Sequence, residues 1–265
     1  MPTAAEARAW IEEGDGLLAS ARVMRATWLW RKRRFSASVS LGDRPRSRAW
    51  IELLGLPRSS CLLLGYSVEM YLKAGIAKLY RNCRQEMFSR DVKKIYGHNL
   101  DEMAEEICLP LTGARRSDLK LMKEFILFEA RYPLQIKPGM RFPDAINKRT
   151  DKIWGNEQFR RLCALSRDIQ IYVSKLDQNR ANPASVSRLE VDKDGYVAFR
   201  FGGGLPTRIT YRPSSHRSTR GEIWAEDAQA LVMASVHPAI WDTFLSHASI
   251  LHDGDDKTCL LYVRI

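Results

Sequence analysis

From Ala4 to about Trp30, apolar residues recur at Ala7, Trp10, Ile11, Gly14, Leu17, Leu18, Ala21, Met24 and Trp28. This i, i+3, i+4 spacing predicts a long amphipathic helix. Periodicity then fades through Ser36–Arg58, a stretch rich in Ser, Gly, Asp, Pro and Arg. It reads as a basic loop holding one short helix at Ala49-Trp-Ile-Glu-Leu-Leu54. The next segment, from Ser59 to about Asn82, is apolar nearly all round, as a helix in the middle of a bundle must be. Asn99 is placed to cap a short helix over Leu100–Ile107, and Ser117 to cap another running to Arg131. Pro133 disfavours helix at Tyr132, and Pro133–Thr150 reads as a loop laid over the bundle. A last long helix, about Asn156 to Asn179, buries Phe159, Leu162, Leu165, Ile169, Tyr172 and Leu176 on one stripe.

After Asn182-Pro183 the pattern changes. Ser187–Val191, Tyr196–Phe201 and Thr207–Tyr211 are short β-rich runs separated by Asp194-Gly195 and Gly202-Gly-Gly-Leu-Pro206, which predicts a small antiparallel sheet. Ala225–Ser235 and Pro238–Leu251 read as helices, and Thr258–Arg264 as a final strand. The expected architecture is mainly α: a helical bundle over residues 1–180, then a small α+β module over 181–265.

Glu69 and Lys73 stand in the most apolar helix, four residues apart and in the favourable order for a helical ion pair. A charge there is costly unless paired. Two readings stay open: an internal salt bridge at the edge of the core, or a polar notch facing a groove.

Composition changes the picture in two ways. With 265 residues and 45% hydrophobic, the chain can build a substantial core, yet the longest uncharged run near the central helix, Ser59–Val68, is ten residues. That is too short to span a bilayer, and Met1–Glu6 has no basic segment leading into an apolar run, so no signal peptide is expected. The formal net charge of +11 favours polyanions. Arg31, Lys32, Arg33 and Arg34 follow Trp28 and Trp30, so bases could stack beside phosphate-binding guanidiniums, and Arg208 and Arg212 belong to a second basic cluster. The plainer alternative for the first cluster is a solvated loop whose tryptophans dock on the bundle.

Metal and thiol chemistry find little here. The five cysteines are scattered without a CxxC, which argues against a disulfide framework or zinc site and fits a reducing cytoplasm. His247 and His252 are five apart, off the spacing that aligns two ligands on a helix face. Gly202-Gly-Gly204 lies between two strands, unlike a phosphate-cradling loop. No cofactor or metal is expected.

The Glu69/Lys73 helix, the Gly97-His-Asn-Leu100 turn and the helix ending Glu129-Ala-Arg-Tyr-Pro133 resemble prokaryotic HEPN-domain proteins, over roughly residues 5–177. The resemblance implies a HEPN-like helical bundle that dimerises. It also implies an RNA-binding or RNA-processing role of a toxin–antitoxin or antiviral defence type, with RNA or a nucleotidyltransferase-type antitoxin as partners. Nuclease members carry an Arg and a His separated by four to six residues, the imidazole moving protons while the guanidinium stabilises phosphate charge. None of the histidines here has that spacing: Arg90 precedes His98 with seven residues between, Lys93 with four, and Arg212 precedes His216 with three. Enzyme activity therefore stays open, and the candidate groove is Glu69, Lys73, His98 and Arg131. The alternatives are a non-catalytic dimeric interaction scaffold and a nucleotide-binding helical bundle.

Overall fold

The computed structural model describes residues 4–38, 48–129, 141–190, 194–212, 214 and 248–252. Seven α-helices and a four-stranded sheet are found among them. The amphipathic helix expected at the start is α1, Ala4–Ser38, and it carries the basic run Arg31–Arg34 inside its last turns. That run is helical and not a loop. The second helix, α2, spans Arg48–Leu79 without interruption. The loop expected up to Arg58 is therefore helix from residue 48 onward, and Pro57 lies inside it.

α1 and α2 form an antiparallel hairpin, each about 50 Å long at 1.5 Å per residue. Phe35 meets Trp50, the Trp28 indole meets Leu53, and Gly14 meets Tyr71 further along. A Cβ on Gly14 would stand 2.5 Å from Tyr71 Cε1, so glycine is what lets the two helices approach here. Tyr71 is then fixed by its hydroxyl, which donates to Asp15 at 2.7 Å.

The remaining helices follow, and all but the first of them pack on α2, whose circumference is largely apolar. They are α3, Gln85–Asp91, continued by a π-helical turn over Val92–Tyr96; α4, Leu100–Glu106; α5, Gly113–Glu124, continued by a second π-helical turn over Phe125–Glu129; α6, Phe142–Trp154; and α7, Asn156–Lys175. Thr112, not Ser117, caps α5, accepting from the Arg115 N–H. α6 replaces the loop expected up to Thr150, with Pro143 in its first turn, where a missing N–H costs nothing.

The buried Arg25 (3% exposed) joins α1 to the end of α6. Its guanidinium donates to the carbonyls of Ile153, Trp154 and Gly155 at 2.7–2.9 Å, satisfying groups that a helix C-terminus leaves without donors. Lys78 does the same for α7, donating to the carbonyls of Val173 and Leu176 at 2.8 Å each.

The sheet runs β1 (Ser185–Glu190), β2 (Tyr196–Phe201), β3 (Thr207–Arg212) and β4 (Ala248–His252) in that order. The first three strands are antiparallel, as expected. β4 pairs parallel to β3, so residues 248–251 are strand where a helix was expected. The helix expected over Ala225–Ser235 and the strand over Thr258–Arg264 lie outside the described residues.

Register places Tyr196, Ala198, Arg200, Arg208 and Thr210 on one sheet face. That face docks on the bundle through polar groups. Arg200 donates to the Lys78 carbonyl (3.0 Å), the Gly202 carbonyl (3.1 Å) and Asp177 Oδ1 (2.5 Å). The Arg208 guanidinium lies 3.5 Å from the Tyr80 ring centroid, and Tyr196 Oη accepts from the Arg84 N–H. Burial pushes the Tyr80 hydroxyl up to about 12, so it stays a neutral donor to Asp91 Oδ2 at 2.9 Å. Tyr196, Ala198 and Leu205 belong to the same buried cluster as the bundle core.

Candidate functional site

Glu69 is the centre of the polar constellation nearest the expected groove. Its side chain is 2% exposed, and both carboxylate oxygens are engaged. Lys73 Nζ donates to Oε1 at 2.5 Å, and His98 Nδ1 lies 2.8 Å from Oε2. The Glu69/Lys73 pair is a buried ion pair, and its carboxylate also holds a histidine.

Local backbone geometry brings His98 to the pair. The π-helical turn closes with the Gly97 N–H donating to the Val92 carbonyl at 3.0 Å, and Gly97 takes φ +49°, a conformation that favours glycine. The chain reverses there, and α4 starts at Leu100. Asn99 occupies the cap position, but its side chain turns elsewhere, donating to Glu102 Oε2 at 3.0 Å and accepting from Lys123. Tyr66 meets the His98 ring edge-on, with centroids 6.4 Å apart, and Lys73 Nζ sits 5.6 Å from the Trp10 ring centroid.

Protonation follows from the donor inventory. An ionised carboxylate only accepts, so Nδ1 carries the proton in this hydrogen bond. In the neutral ring Nε2 then holds the lone pair, on a side chain that is 36% exposed. Nε2 makes no hydrogen bond among the described residues. The unit is an imidazole oriented through Nδ1 by a carboxylate whose other oxygen is held by Lys73.

Of the candidate groove, the structure places Lys73 and His98 on the two carboxylate oxygens of Glu69. Arg131 lies outside the described residues. Lys93, at the spacing where nuclease members carry arginine, is exposed. Of the first basic cluster, Arg31 is paired with Glu52, while Lys32, Arg33 and Arg34 are exposed. Arg34 stacks on the half-exposed Trp30 at 4.1 Å from the ring centroid. Trp28 is 1% exposed and cannot stack on a base.

Arg208 corrects the second cluster: at 2% exposure it braces the sheet against Tyr80 and cannot reach a polyanion from that position. Arg212 is half-buried on the same face. Alternation along β3 gave the signal, since Arg208, Thr210 and Arg212 share a face. Arg25 was missed too, although it falls with Ala21 and Trp28 on the apolar stripe of α1.

No group of acidic, histidine or cysteine side chains suited to a metal occurs among the described residues, and no described helix is long and apolar enough to cross a membrane. Comparison with protein-family models, curated proteins and solved structures gives no match for this chain.

Proposed function

We propose that this chain is a HEPN-like RNA-binding or RNA-processing protein of a defence or toxin–antitoxin type, with His98 as its proton-transfer group. The observation that carries the reading is the double engagement of Glu69, which holds His98 by Nδ1 on a side chain that is 36% exposed. In cleavage, Nε2 takes the proton of the ribose 2′-hydroxyl as that oxygen attacks the adjacent phosphate. The same proton then returns to the departing 5′-oxygen. The exposed Lys32, Arg33 and Arg34 beside Trp30 add a surface for the strand, combining phosphate charge with one stacking ring.

The test is incubation of purified protein with single-stranded RNA at about 50 mM salt, where the phosphate term is strong. Retardation and cleavage are expected, with cleavage lost in His98→Ala while retardation persists. Protein that neither retards nor cleaves RNA under these conditions overturns the reading.

A second reading, a protein-interaction scaffold, rests on a different observation. Val23 and Trp30 on α1, with Ile51 and Leu54 on α2, are 41–65% exposed along the hairpin. Scattered apolar exposure is ordinary, whereas a group on one helical pair fits a partner such as a second copy or an antitoxin. A monomeric protein that co-purifies with nothing argues against this second reading.

A further inference from the structure

Charge divides α1 unevenly. Its acids, Glu6, Glu12, Glu13 and Asp15, all precede Gly16, whereas from Gly16 to Ser38 the charged residues are Arg22, Arg25, Arg31, Lys32, Arg33 and Arg34. Arg25 and Arg31 bond to groups within the fold, and Arg22, Arg33 and Arg34 are exposed. On the outward side of this basic half stand Val23, 65% exposed, and Trp30, 52% exposed. Seven residues apart, they lie in one row along the helix. Ala26 and Thr27 fill the row between them, and Arg34 ends it with its guanidinium over the Trp30 ring. The crest of the helix is thus apolar or small, with cations on its end and flank.

The flank is shared with α7. Arg22 borders a groove between the two helices, and Arg160 and Arg167 border it from α7, with Ala164 between them. These three arginines make no ion pair or hydrogen bond among the described residues, and no carboxylate lines the groove. Neighbouring arginines show the contrast: Arg161 is held by Asp118 at 2.9 Å and Arg115 by Asp168 at 2.5 Å. Leu18, Leu29 and Phe159 also line the groove, so apolar surface continues between the two rows of guanidiniums.

We propose that this α1–α7 face docks the protein on the surface of an anionic lipid bilayer. A helix lying in the interface sets its apolar crest at the boundary with the acyl chains and its cations among the headgroups. Val23 and Trp30 supply that crest, and a tryptophan ring suits the headgroup level because one end is apolar and the other carries an N–H. Arg22, Arg33, Arg34, Arg160 and Arg167 supply the cations, and the lack of carboxylates in the groove selects a negatively charged surface. A nucleic-acid strand uses guanidiniums and rings, but gains little from an exposed valine two turns away from the ring. A lipid interface takes both. No described helix is long and apolar enough to cross a bilayer, so the association is peripheral. It is independent of the His98 chemistry.

Flotation of the full chain with vesicles of phosphatidylcholine alone, or with about 30% phosphatidylglycerol, at ~0.1 M salt provides the test. Partition onto the anionic vesicles is expected to exceed that onto the neutral ones roughly tenfold or more. Arg160→Glu/Arg167→Glu should lower it by a similar factor, whereas Lys94→Glu/Lys120→Glu, an equal change of net charge at exposed positions outside α1 and α7, should leave it nearly unchanged. Val23→Ser/Trp30→Ser keeps every charge and should weaken partition roughly tenfold, through lost apolar burial. Phospholipids brominated on the acyl chains should quench tryptophan fluorescence, and less so in Trp30→Phe, which keeps an apolar ring. All these positions are exposed, so the melting temperature should hold. His98→Ala should leave partition unchanged, which separates failure here from failure of the cleavage reading. Retardation of RNA without binding to anionic vesicles, an equal loss in the two charge variants, or partition that Val23→Ser/Trp30→Ser does not change overturns the proposal.

Discussion

The Trp28 indole N–H donates to the Leu53 carbonyl at 3.1 Å, across the α1–α2 hairpin. Leu53 stands four residues before Pro57, so its carbonyl is the acceptor that a proline inside α2 leaves without an intrahelical donor. A residue on one helix repairs the other, and α2 continues to Leu79.

Replacing Trp28 by Phe should therefore cost about 1–3 kcal/mol, because a buried carbonyl loses its donor. Pro57→Ala restores an N–H in register, so it should cost less, or even stabilise, in the Trp28→Phe background than in the parent. A double-mutant cycle by urea unfolding measures that coupling. Strict additivity would mean that the indole bond is not what accommodates the proline.

Glu69→Gln removes the negative charge that Lys73 and His98 share. With Glu69 2% exposed and Lys73 14%, a loss of about 2 kcal/mol is expected. His98→Ala, at a position 36% exposed, should cost well under half of that. Equal and negligible losses in urea would place the pair in open solvent.

Asp177 tests the docking of the sheet. It accepts from Arg200, whose own side chain is 2% exposed. Asp177→Ala should cost about 3 kcal/mol by leaving that guanidinium without its anion. Arg200→Met/Asp177→Leu, removing both charges, should recover part of the loss. Unfolding midpoints of the three proteins decide it.

Cys61 sets a pH dependence. Desolvation pushes its buried thiol from an ordinary value of 9.0 up to about 12. The folded state thus keeps a proton that the unfolded chain releases above pH 9. The contribution is full below that value and is lost as pH rises toward 12, at up to about 1.4 kcal/mol per pH unit. Cys61→Ala should unfold with a shallower decline in stability between pH 8.5 and 10.5 than the parent, whatever its starting stability. Parallel declines would show that the thiol does not titrate on unfolding.

The stripe Ala7, Trp10, Ile11, Leu18, Ala21, Trp28 is enough to predict α1, because a 3.6-residue period needs no knowledge of what covers it. Glu69 and Lys73 were likewise legible as a pair, their i, i+4 spacing being a local property. The loop expected over Ser36–Arg58 rested on local composition, whereas the helix there runs through Pro57 with the Leu53 carbonyl satisfied by the distant Trp28. α6 was hidden by the prolines and basic residues of residues 133–150.

Sequence by itself determined α1, the central part of α2, α7 and the first three strands, that a helical bundle precedes a small sheet, and that a Glu–Lys pair in an apolar helix needs partners, but not the start of α2, α6 or β4. Only tertiary structure decided where the cations go. Arg25 and Arg200 bond carbonyls inside the fold, Arg208 is buried against Tyr80, and Arg22, Arg160 and Arg167 are left around an open groove. An arginine stem is long enough to serve core or solvent, and its charge is the same in both. The acceptors within reach settle the difference, and those come from residues far away in the chain.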